Sequence, residues 1–166
     1  MQVKKPNMKK FILMFACLNL LSGCSTISSL WSGDVELHSQ LIVNIEAAQN
    51  INPNVKGKSS PVELRIYQLA DSEAFSRADF LQLYTDEQGV LKTGMLSSRH
   101  LQSILPGEKR REVIPLRAET KFIAVIAGFA DYREAKNKAL FQPIILGATA
   151  ITIEIDGLSL SVTGEE

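Results

Sequence analysis

Few side chains in this 166-residue sequence are spaced for chemistry, and the best placed is the thiol of Cys24. It closes Leu21-Ser22-Gly23-Cys24. The small Ser-Gly pair lets an extended backbone enter a peptidase cleft, and a thiolate is the nucleophile that takes up a diacylglycerol through a thioether. Ahead of it stand Lys4, Lys5, Lys9 and Lys10, then an apolar run from Phe11 to Leu21 that is too short for a permanent membrane helix. Together these read as a lipoprotein signal, with residues 1–23 removed and acylated Cys24 left as the first residue. The competing reading is an ordinary secretory signal with a cysteine at its border. Met8-Lys9-Lys10-Phe11 also opens a complete signal, so either Met1 or Met8 serves as the start without changing the mature chain.

The remaining candidates for chemistry are thin. Gly57-Lys58-Ser59 matches the end of a phosphate-binding loop, but Asn52 stands where the first glycine is needed and a strand opened by Pro61 follows instead of a helix. His38 and His100 lie in separate predicted strands without the spacing of a metal pair. Cys17 leaves with the signal and Cys24 carries the lipid, so no disulfide forms and no thiol remains as a nucleophile. The scattered carboxylates have the distribution of a solvated surface. The chain reads as a non-enzyme with no catalytic residues, metal or cofactor.

The elements that position these groups follow from the mature chain. Removing residues 1–23 from 166 leaves 143, one domain's worth of chain and enough to bury a core. Four of the 18 basic residues leave with the signal while all 18 acidic residues stay. The mildly acidic remainder carries no nucleic-acid footprint. Residues 24–36 are serine-rich and read as a tether, with Trp31 placed either at the lipid headgroups or against the domain's own core. Residues 37–166 then form the folded domain.

Within it, Leu37 to Ala48 alternates as a strand with Leu41, Val43 and Ile45 on one face. Gln49 to Ser60 is a long connection full of turn formers, and after Pro61 a second strand sets Val62, Leu64 and Ile66 against Glu63, Arg65 and Tyr67. Asp71 or Ser72 caps a short helical insertion containing Phe75, Ala78 and Phe80 to Tyr84. Asp86 to Gly89 reads as a turn, and Val90 to Ser98 fits helix and strand equally. His100 to Leu105 reads as a strand that turns at Pro106-Gly107 and returns as Lys109 to Leu116. Phe122 to Phe129 is apolar enough for a central strand buried on both faces. Ala130 to Ala139 reads as a solvated loop. Phe141 to Leu146, Thr149 to Ile155 and Leu158 to Val162 complete the set, the last two joined at Asp156-Gly157. The count is about eight strands with a short helical insertion after the second, a two-sheet β-sandwich.

The lipobox, Asn52-Pro53-Asn54 running through Gly57 to Pro61-Val62-Glu63-Leu64-Arg65-Ile66-Tyr67-Gln68-Leu69, then Phe75, Ala78-Asp79-Phe80 and Leu105-Pro106-Gly107-Glu108 together resemble the TssJ (VasD-type) outer-membrane lipoproteins of type VI secretion. The resemblance spans most of the mature chain. It departs at Phe141-Gln142, where the family pattern has a tryptophan followed by a basic residue. It implies a transthyretin-like sandwich, lipid-anchored to the outer membrane and facing the periplasm, that holds the periplasmic C-terminal part of TssM in a complex with TssL. The contact it implies is the loop between the first two strands, here Gln49 to Ser60, with Ile51, Asn52, Pro53, Asn54, Val55, Lys56, Gly57 and Lys58 as candidate contacts. Within that loop Lys56 and Lys58 suit a partner rich in carboxylates, and Ile51 and Val55 offer apolar anchors. Ser25, not aspartate, after the lipidated cysteine points to the outer membrane among lipoproteins generally.

Two other classes compete. A periplasmic small-ligand carrier uses the same fold and requires a deep apolar pocket. An envelope hydrolase requires a cleft with a perturbed carboxylate or histidine, and His38 and His100 are the residues able to seed one.

Overall fold

The computed structural model describes residues 40–142 and 149–164. The signal, Cys24, Ser25, the tether with Trp31, His38 and residues 143–146 of an expected strand lie outside the described residues. The described strands are β1 (Gln40–Ala47), β2 (Val62–Leu69), β3 (Met95–Ile104), β4 (Lys109–Pro115), β5 (Phe122–Ala127), β6 (Lys138–Phe141), β7 (Thr149–Asp156) and β8 (Ser159–Gly164). They form two four-stranded sheets, ordered β4-β1-β7-β8 and β3-β2-β5-β6. Three short helices follow β2: α1 (Glu73–Arg77), α2 (Phe80–Thr85) and α3 (Glu87–Leu91).

The alternation in β1 has the consequence expected of a half-buried strand. Leu41, Val43 and Ile45 are fully buried between the sheets, with Leu64, Ile66, Ile123, Val125, Ile151, Ile153 and Leu160. β1 pairs antiparallel with β4 on one side and parallel with β7 on the other.

β2 and β5 are buried on both faces because the helices cover the outside of their sheet. Ile123 and Val125 face the sandwich core, while Ala124 and Ile126 join Tyr67 and Leu69 in a second cluster with Phe75, Phe80, Leu83 and Leu91. Each such side chain taken fully from water contributes about 1.5–3 kcal/mol before conformational entropy is subtracted. That burial is what fixes helices of five or six residues, too short to persist alone. Local capping helps: Asp79 accepts from Gln82 N at 2.8 Å and Gln82 Oε1 from Asp79 N at 2.9 Å, a reciprocal box at the start of α2.

Several expectations change. Glu87 to Gly89 is not a turn but the opening of α3, because the Asp86 carboxylate caps Gly89 N and Leu91 is drawn into the second cluster. The stretch left open resolves into a 3-10 turn at Lys92–Gly94 and a β3 that starts at Met95, ahead of His100. Lys109 to Pro115 does not return along β3. It crosses to the other sheet and pairs with β1.

A charged clasp makes that corner. Glu108 accepts from Leu105 N and from Arg110 Nε, each at 2.7 Å, and the Arg110 guanidinium donates on to the carbonyls of Gln102 and Ser103. Gly107 has φ 78°, and a Cβ there would lie 2.2 Å from the Gln49 amide nitrogen. β6 begins inside the expected loop, at Lys138. The Lys138 ammonium is bonded to the carbonyls of Phe75 and Ala78, tying β6 to the end of α1.

Candidate functional site

β1, β5 and β7 all finish at one end of the sandwich, and the loops that follow them are bonded into a single unit. Asn52 is the knot. Its N–H donates to Gly157 O at 2.8 Å, its Nδ2 to Pro61 O at 2.7 Å, and its Oδ1 accepts from Ala130 N at 2.8 Å. Asn50 Nδ2 adds a bond to Asp156 Oδ1, and Lys136 bonds to the backbone of Leu158 and Leu160. The loops after β1, β5 and β7 therefore hold one another in place.

The tip of the first loop is a compact turn. Asn54 Oδ1 accepts from Lys56 N at 2.9 Å and Lys58 N at 3.1 Å, and its backbone bonds to Gly57 and Lys58. Gly57, at φ 73°, supplies the left-handed residue the turn needs. On this frame Val55 projects wholly into solvent, with Lys56, Gly57 and Lys58 exposed around it and Pro53 half-buried at its base.

The candidate contacts thus divide. Pro53 to Lys58 form the accessible tip, whereas Ile51 is fully buried in the sandwich core and Asn52 is 5 % exposed. Ile51 is spent on the protein's own interior and does not serve as a surface anchor. Among the described residues no carboxylate lies within ion-pair distance of Lys56 or Lys58, while Arg65 has two and Arg77, Lys109 and Arg110 each have one.

His100, the seed of the hydrolase reading, belongs to a polar cluster under α3 that sequence reasoning did not assemble. His100 Nε2 lies 3.0 Å from Glu87 Oε1, Tyr67 donates its hydroxyl to Glu87 Oε2 at 2.8 Å, and Arg65 bridges Glu63 and Glu87. Tyr84 donates to Glu63 at 3.1 Å, with the Arg65 guanidinium 4.1 Å above its ring. An open cleft of about 350 Å³ borders Glu63 and His100.

Burial works to raise the Glu63 carboxyl, but bonds from Arg65 and Tyr84 and the nearby Arg65 and His100 charges outweigh it and hold it below the ordinary range. Glu87 shows the same balance, with burial opposed by bonds from Tyr67 and His100. Burial first, and then the bond to Glu87, push the Tyr67 phenol up. Carboxyls so depressed stay ionised near neutrality and are poor proton donors, and the bonds from Tyr67, Arg65 and His100 to Glu87 clamp α3 to the sheet. Among the described residues no group of His, Cys, Asp or Glu is arranged to hold a metal ion, and no helix is long and apolar enough to cross a membrane. The space between the sheets, where a carrier would need its pocket, is filled by side chains such as Leu41, Ile45, Leu64 and Ile151 with no exposed surface.

Comparison with known proteins places this architecture. The family described as type VI secretion lipoprotein, VasD, EvfM, TssJ matches residues 39–158. No curated protein matches. Among solved structures, the type VI lipoprotein TssJ1 from Pseudomonas aeruginosa superposes with a TM-score of 0.70 at 24% identity, covering 77% of this chain and 97% of that one. A chain of a type VI membrane complex gives 0.67 at 27% identity, covering 75% and 98%. A chain in the structure described as the TssM C-terminal domain from EAEC gives 0.64 at 27% identity, covering 75% and 97%.

Proposed function

Because the chain belongs to the TssJ/VasD family of type VI secretion lipoproteins, we propose that it anchors the periplasmic part of that secretion complex to the outer membrane as a scaffold, without catalysis of its own. Lipid on Cys24 holds it in the outer membrane, Ser25 leaves it free to be sorted there, residues 24–36 form the tether, and residues 37–166 form the periplasmic domain. Its partner is the C-terminal periplasmic domain of TssM, in a complex that also contains TssL. The similarity to chains in a type VI membrane complex and in a TssM C-terminal domain structure supports this partner.

The observation that carries the reading is the built tip at Pro53 to Lys58. A free loop would lose conformational entropy on binding, whereas this turn is already fixed by Asn52 and Asn54. Val55 meets an apolar socket on the partner, and Lys56 and Lys58 meet carboxylates at its rim. Polarity along β1 agrees: the eight-residue strand enters the domain at Gln40 and ends at this loop, roughly 25 Å farther on.

The test is titration of the full-length lipoprotein in detergent micelles with the purified TssM C-terminal domain. Val55→Asp combined with Lys56→Glu and Lys58→Glu is expected to abolish binding and leave the thermal midpoint unchanged, and the wild-type affinity is expected to fall as salt is raised. Wild-type affinity in the triple variant would refute the contact.

A further inference from the structure

The loop after β1 is closed twice, and the two closures do different work. At its neck, where Ile51 and Asn52 are buried, Ser60 N donates to Ile51 O at 3.1 Å and Asn52 Nδ2 to Pro61 O at 2.7 Å. Farther out, residues 54–58 form a ring closed by four hydrogen bonds. Asn54 N donates to Lys58 O at 2.9 Å, Gly57 N donates to Asn54 O at 2.7 Å, and Asn54 Oδ1 accepts from Lys56 N at 2.9 Å and Lys58 N at 3.1 Å. Each of these bonds has Asn54 at one end. A long bond from Ser60 Oγ to Lys58 O, at 3.4 Å, ties the ring to the neck. All of residues 54–58 are exposed, so the ring lies outside the core that the neck helps to close.

We propose that Asn54 and Gly57 are positioning residues of the tip: they set the affinity for the partner by fixing how Val55, Lys56 and Lys58 are presented, and not by touching the partner themselves. The Asn54 amide oxygen has room for two donors and already holds two, so it is not free to accept from a partner. With Lys56 N and Lys58 N bonded to that one oxygen, the ring turns its N–H groups inward and leaves the side chains of Val55, Lys56 and Lys58 outside. Gly57 is glycine for its backbone and not for space. A Cβ there would meet nothing within 4 Å, but its φ of 73° is left-handed, a region that costs a side-chain-bearing residue free energy. A tip that samples other shapes binds with an affinity reduced in proportion to the fraction of molecules in the presenting one. The ring removes that reduction before the partner arrives, while Asn52 alone of the two asparagines carries the link to the core.

This inference rests on the reading of the tip as the TssM contact, and the experiment separates the two. Full-length lipoprotein in micelles is titrated with the TssM C-terminal domain as wild type, as the triple tip variant, and as Asn54→Ala, Gly57→Ala and Gly57→Asn. Asn54→Ala is expected to bind roughly ten-fold more weakly, as when the presenting shape is populated about a tenth of the time, with an unchanged thermal midpoint. In the free variant the backbone order parameters of residues 55–58 are expected to fall toward the flexible range, below about 0.6. Weaker binding with undiminished order would make Asn54 a direct contact and overturn the proposal. The two Gly57 variants test the same point by their order. Asparagine tolerates the left-handed region better than alanine, so Gly57→Asn is expected to bind more tightly than Gly57→Ala. A glycine kept for clearance against the partner would give the reverse order, since asparagine is the larger, and that result would overturn the positioning role. Loss in the triple variant beside wild-type affinity in Asn54→Ala and Gly57→Ala would overturn it too and leave the tip standing. Wild-type affinity in the triple variant would overturn both.

Discussion

Asn52 meets two demands that few side chains satisfy together. Its backbone is left-handed at φ 46°, a region asparagine tolerates better than most residues, and its amide donates to one loop while accepting from another. Asn52→Ala strands the Pro61 carbonyl and the Ala130 amide in a nearly buried site and forces a Cβ without compensation into the left-handed region. It is expected to cost about 1–3 kcal/mol in a denaturant titration. Asn52→Gly, which relieves the backbone but not the lost bonds, is expected to fall between wild type and the alanine variant. The sequence showed a polar loop with too many turn formers to be a plain hairpin, and the Asn54-to-Gly57 turn was legible in that sense. It did not show that Ile51 and Asn52 face inward, because nothing in a local pattern reveals that Gly157 and Ala130, each more than 70 positions away, complete their surroundings.

At the scale of elements, the strands were legible wherever one face alternated, as in β1, or both faces were apolar, as in β5. Helix α3 was not, since its capping aspartate and its single buried leucine look the same as a turn until the sheet beneath them is in place. Nor was the passage from β3 to β4: Pro106-Gly107 announces a reversal, but whether the chain returns along the same sheet depends on the Glu108–Arg110 clasp and on the open edge of β1. The clamp of Arg65, Glu63, Glu87 and His100 holds the helices down, and it makes their attachment sensitive to acid. Glu63 and Glu87 are held below the ordinary range when folded. In the unfolded chain such carboxyls titrate near about 4.3. The unfolded chain therefore binds protons first as pH falls, so this stabilisation is fully present above about pH 5 and is lost as pH drops through 4 and lower. Glu87→Gln is expected to lower the thermal midpoint at neutral pH and to flatten its decline between about pH 5 and 3. A decline as steep as wild type would mean that other carboxylates carry the acid sensitivity.

For the molecule as a whole, the family resemblance carried by Pro61 to Leu69 and by the Pro-Gly-Glu corner agrees with the match over residues 39–158. The departure at Phe141 is accommodated locally, because Gly164 on β8 leaves room for the ring: a Cβ there would come within 2.5 Å of Phe141 Cζ. Anchoring belongs to this scale too. Cys24→Ser is expected to abolish fatty-acid labelling and block removal of the signal, so that the protein no longer fractionates with the outer membrane, while Ser25→Asp shifts it toward the inner membrane in a density gradient. Unchanged fractionation of the Cys24 variant would remove the lipid anchor from the proposal. The parallel pairing of β1 with β7 has a mechanical consequence. If, as proposed, lipid is attached ahead of Gln40 and a partner grips the loop after Ala47, tension runs along β1 itself. β1 is an inner strand bonded on both sides, so such a pull loads the ladders to β4 and β7 in shear, many hydrogen bonds at once. An edge strand pulled crosswise would unzip, its hydrogen bonds breaking singly and in succession. Survival under load is set by the rate of unfolding and not by equilibrium stability, so in the proposed arrangement the inner position of β1 is expected to slow rupture of the domain under tension.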